Sequence, residues 1–101
     1  MYTLEYLPSA VADILEIDAY LYEHSISAAS KFADSIERLT ETLIKHPLMY
    51  PVYEDDIYFR HMIILYGYRI FYHVDEEAKI IKVHRILHGT RDVKSIIEGE
   101  Q

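Results

Sequence analysis

The chain has 101 residues, half of them hydrophobic by type, with ten Tyr, three Phe, no Cys and a formal net charge of −7. This is one domain's worth of sequence with enough apolar side chains for a single core, which excludes a disordered chain. The lack of Cys excludes disulfides, thiolate zinc sites and cysteine nucleophiles, and no apolar run approaches the roughly 20 residues of a membrane-spanning helix.

The opening MYTLEYLPSAVADILEIDAY carries carboxylates and no basic n-region, so it reads as part of a cytoplasmic domain and not as a secretory signal. YTLEYL at 2–7 alternates and predicts a strand ended by Pro8. Ser9 is placed to cap a helix through about Tyr22, in which Ala10, Ile14, Ile17 and Leu21 recur at helical spacing. EHSIS interrupts it, and Ser27 is placed to cap a second helix. Its stripe of Ala29, Phe32, Ala33, Ile36, Leu39 and Leu43 predicts an amphipathic helix that stops at His46-Pro47. So short a link implies an antiparallel helix hairpin.

Residues 48–56, LMYPVYEDD, read as a loop, after which the apolar period changes to two. IYFRHMI (57–63), YRIFYHV (68–74) and KIIKVHRIL (79–87) predict three strands of a meander, with a turn at Gly67 and another at DEEA. TRDVKSIIEGEQ predicts a short terminal helix with Val93, Ile96 and Ile97 on one side, and Asp92 favoured at its start by the helix dipole. A tip at Glu76-Glu77 would set Val74 opposite Lys79, Tyr72 opposite Ile81 and Ile70 opposite Val83. One face then carries Ile70, Tyr72, Val74, Ile81 and Val83 for the helices; the other carries Arg69, Phe71, His73, Lys82, His84 and Ile86, with Arg69 across from His84. A loop longer by one residue would flip one strand and set Arg69 against Arg85. The first register is preferred because it separates an apolar face from a cationic one. The expectation is a single α+β domain over 1–101: helices on one side of a mostly antiparallel sheet, the other side open.

Charge follows the same division. Residues 1–56 hold 3 Lys and Arg against 11 Asp and Glu, whereas residues 57–94 hold 7 against 4 and four of the six His. The acidic half reads as solvated helix faces, but cations in strands need a reason. RILHGTRD at 85–92 places Arg85, His88 and Arg91 together where the last strand ends. The His residues at 73, 84 and 88 lack the i, i+4 helical spacing of a zinc site, so no metal is expected.

LPSAVADILEIDAYL, GYRIFYHV and RILHGTRD, in this order around a helix hairpin, resemble the RelE/ParE superfamily of toxins from bacterial type II toxin–antitoxin modules. The resemblance covers nearly the whole chain. It implies a cytoplasmic, cofactor-free toxin neutralised by a cognate antitoxin, as in plasmid-stabilisation modules, and allows a homodimer or a heterotetramer with the antitoxin. RelE-like members are ribosome-dependent mRNA endoribonucleases; ParE-like members inhibit DNA gyrase and lack the nuclease's catalytic set. RNA cleavage needs an acid, a base and cations around the phosphate. On the nuclease reading, Arg69 matches the family's strand arginine, with His84, His88 and Arg91 as the remaining catalytic candidates. Arg60, Arg69, Lys82, Arg85 and Arg91 are the candidates for contact with the target or with an acidic antitoxin segment. Met62 stands where nucleases carry another cation, and Ile96 and Ile97 where they carry a late Tyr. These departures, the acidic charge and the A-x-x-D-I-x-x-I-x-x-Y pattern of the first helix favour the ParE-like branch, with the nuclease second. A non-toxic peptide-binding module of the same fold is a third reading.

Overall fold

The computed structural model describes residues 1–89 and 92–100. In chain order these form β1 (Thr3–Tyr6), α1 (Pro8–His24), α2 (Ile26–Lys45), β2 (Val52–Tyr53), β3 (Asp56–Ile63), β4 (Tyr68–Asp75), β5 (Ile80–His88) and α3 (Val93–Glu98). The sheet order is β1-β5-β4-β3-β2, with β1 parallel to β5 and the other pairs antiparallel. The expected α+β arrangement of strand, helix hairpin, meander and terminal helix is therefore the one that forms. The short β2 lies within the segment read as a loop.

Helix starts differ from expectation in an instructive way. Pro8, not Ser9, opens α1, because a proline at the first helical position forfeits only an amide that has no helical partner. Ser25, not Ser27, caps α2: its hydroxyl accepts from the Ala28 amide at 3.2 Å. The Ser25 amide also donates to Leu21 O at 2.7 Å, so this one residue closes α1 and opens α2. Ala10, Ile17 and Leu21 of α1 and Ala29, Phe32, Leu39 and Leu43 of α2 are buried against Ile70, Tyr72, Ile81, Val83 and Ile86 of the sheet. Burial pushes the Tyr72 phenol up to about 12.

The β4–β5 register differs from the expected one by two residues. Val74 faces Ile81 and Asp75 faces Ile80, across a turn in which Asp75 accepts from the Ala78 amide and Lys79 takes a left-handed φ of 58°. Because side chains alternate with period two, a shift of two preserves the expected helix-facing set. A bulge then changes the second half of β5. Tyr72 pairs with Val83 but Phe71 pairs with Arg85, leaving His84 as the extra residue. Beyond the bulge the alternation reverses, so Ile86 turns into the helix-side core and not outward, and Arg69 faces Leu87 instead of His84.

The outer face is also not wholly open. Tyr53, Phe59, Phe71 and Leu87 form a second cluster with Ile97 of α3, and Val93 and Ile96 pack beside it. Asp92 caps α3 by accepting from the Ser95 amide at 3.3 Å, which matches its expected place at the helix start.

Candidate functional site

Asp13 explains where Arg85 points. It stands among Ala10, Ile14 and Ile17 on the apolar stripe of α1 and is only 7% exposed. β1 ends at Tyr6, so beyond Val83 the edge of β5 has no strand beside it, and Asp13 takes the strand's place. Its carboxylate accepts from Arg85 Nε at 2.7 Å, Arg85 Nη2 at 2.9 Å and the Ile86 amide at 2.9 Å. A buried carboxylate needs such partners, and the fork of a guanidinium supplies two at once. Glu100 approaches Arg85 at 3.5 Å from the C-terminal side. The Asp13 bonds, with Glu100 adding, hold the Arg85 proton more tightly than usual. Arg85 is thus committed to the fold.

His84, the bulged residue, lies on the outer side, next to Phe59. Its ring is 5.0 Å from Phe59 and 6.1 Å from Tyr58, and Nδ1 is 3.6 Å from Glu100. Both ring nitrogens are shut off from solvent. Burial lowers its pKa, although Glu100 opposes this. Next to it, His73 stacks on Tyr58 at 3.8 Å and donates from Nδ1 to Tyr58 O at 2.8 Å.

The remaining expected residues fall in separate places. Arg60 pairs with Tyr72, which puts it on the helix side, where Nη1 donates to Tyr50 O at 2.6 Å and Leu48 O at 3.4 Å. It pins the 46–51 loop. Arg69 lies on the outer side, its guanidinium 5.9 Å from the Phe71 ring, and its charge helps lower the His61 pKa after the larger effect of burial. Lys82 is also on the outer side and approaches Glu5 of β1 at 3.9 Å. His88 pairs with Tyr68 on the helix side, ring to ring at 5.2 Å. Arg91 lies outside the described residues.

The expected single cationic face is therefore not assembled. Arg69 and Lys82 share the outer side, His84 is walled in by Phe59, Tyr58 and Glu100, Arg85 turns to α1, and Arg60 and His88 belong to the other side. The cause is the bulge together with Asp13: one reverses alternation in β5, the other draws Arg85 around the sheet edge. Asp13 was legible as an acid on an apolar stripe, a position that demands a cation. Glu100 carried no such signal, since only the folding back of α3 brings it to His84 and Arg85.

Among the described residues, no three His, Asp or Glu side chains gather as metal ligands, and no helix is long and apolar enough to cross a membrane. No individual curated protein matches the chain. A family model described as the ParE toxin of the type II toxin–antitoxin system, parDE, matches residues 4–93, from β1 to the first residue of α3. The chain belongs to the ParE toxin family of type II toxin–antitoxin systems.

Proposed function

We propose that this toxin acts in the cytoplasm by inhibiting DNA gyrase, is silenced by a cognate antitoxin, and serves a plasmid-stabilisation module. The observation that carries the gyrase reading is the disposition of the would-be nuclease groups. General acid–base cleavage of RNA needs a titrating side chain within hydrogen-bond reach of the scissile phosphate, with cations converging on it. Among the described nuclease candidates, His84 has both ring nitrogens shut off from solvent, and Arg69 and His88 lie on opposite sides of the sheet. The acidic net charge also opposes approach to ribosomal phosphate.

Purified toxin run in a gyrase supercoiling assay beside a ribosome-programmed mRNA-cleavage assay tests the proposal. Inhibited supercoiling with intact mRNA is the expected result. Codon-phased mRNA cuts that vanish in Arg69→Ala, with supercoiling unaffected, would replace it with the nuclease reading. Expression of the chain alone should arrest growth, and co-expression of the adjacent small gene's product should restore it. Growth unaffected by the chain alone would point to a non-toxic binding module.

A further inference from the structure

A cleft of about 410 Å³ opens between α1 and the adjoining ends of β4 and β5. Tyr20 and Tyr68 present rings to it, Ile17 and Ile86 line it with aliphatic surface, and Glu16 contributes a carboxylate, with Asp13 and His88 completing the lining. Asp13 is already engaged by Arg85, so Glu16 is the carboxylate available to a ligand. The volume lies in the range of ordinary ligand pockets. α1, which forms one wall, carries Asp13, Glu16, Asp18 and Glu23 and no Lys or Arg, so its field favours a cation. Aromatic faces attract the same charge, and the isoleucines suit an aliphatic stem.

The turn that precedes Tyr68 in the chain exposes apolar side chains of its own. Leu65 and Tyr66 are 38% and 43% exposed, and Tyr66 holds a left-handed φ of 64°, a conformation that aromatic residues rarely adopt. A lone small cation would leave this surface unused; a chain with apolar neighbours around its cationic residue would cover it.

We propose that the cleft receives an arginine or lysine side chain from a basic, partly apolar segment of a partner polypeptide. This assignment is independent of whether gyrase is the target. Arg60, Arg69, Lys82 and Arg85, the described residues expected to contact a target or an antitoxin, do not line this cleft.

Amide chemical shifts of the full chain, titrated with short probes, test it. An acetylated, amidated leucine–arginine–leucine tripeptide should shift Glu16, Tyr20 and Tyr68 and saturate. Replacing its arginine with norleucine should weaken binding about tenfold, and so should Glu16→Gln or Tyr20→Ser in the protein, with thermal midpoints unchanged. Putrescine, a free diamine, should bind more weakly than the tripeptide. The proposal is overturned if these residues do not shift, if norleucine serves as well as arginine, or if putrescine binds as tightly as the tripeptide.

Discussion

The Asp13–Arg85 pair joins two residues 72 positions apart and is mostly sheltered from water, so removing one partner strands the other. Asp13→Ala also strips the acceptor from the Ile86 amide. A loss of about 3 to 5 kcal/mol in urea-unfolding free energy is expected for Asp13→Ala. The double change Asp13→Leu with Arg85→Met should cost less than the sum of the single changes, because it leaves neither charge behind. Additive losses would mean that the pair contributes little coupling. His84 and His61 make a pH prediction at the same scale. Burial is the larger cause lowering both pKa values below the ordinary histidine value of 6.5. Below that value the unfolded chain takes up protons before the folded one does. The stabilisation is therefore complete above about pH 6.5 and is lost as pH falls through the folded pKa values. Urea midpoints should drop between about pH 7 and pH 5, and His84→Phe should make the drop shallower. An unchanged slope would show that His84 does not contribute.

At the scale of elements, α2 tests how capping is decided. Ser25 and Ser27 are both plausible caps by residue type, but only Ser25 makes the bond to the Ala28 amide. Ser25→Ala should cost about 1 kcal/mol in thermal or urea unfolding, while Ser27→Ala should stay within about 0.5 kcal/mol of the parent. Equal effects would return the cap to open choice. Helix stripes and strand alternation were readable in Leu39, Leu43, Tyr72 and Val83 because burial imposes one period on each element. The bulge at His84 was not readable, since an inserted residue leaves the local alternation of KIIKVHRIL intact and appears only against the partner strand. The same holds for α3: Ile96 and Ile97 mark an apolar side, but not which cluster receives it.

For the whole molecule, the consequence is electrostatic. With Arg85 and Arg60 held by structural partners, the described exterior carries an excess of carboxylates, contributed by α1 and by the strand connections, while α2 is balanced in charge. Such a surface releases few counterions from a polyanion. The protein should pass through a heparin column at about 0.1 M salt; retention there would show that Arg69 and Lys82 form a phosphate-binding patch. The amino-acid sequence by itself determined the order of elements, their types, the helix-facing half of the sheet and the family, because these depend on local period and on motif spacing. Tertiary structure alone decided where Arg85 and His88 point, which acid holds Arg85, and that a tyrosine-walled cleft lies beside α1. Those outcomes turn on contacts between residues dozens of positions apart, where one extra residue in a strand or one buried carboxylate redirects a side chain to the opposite side of the sheet.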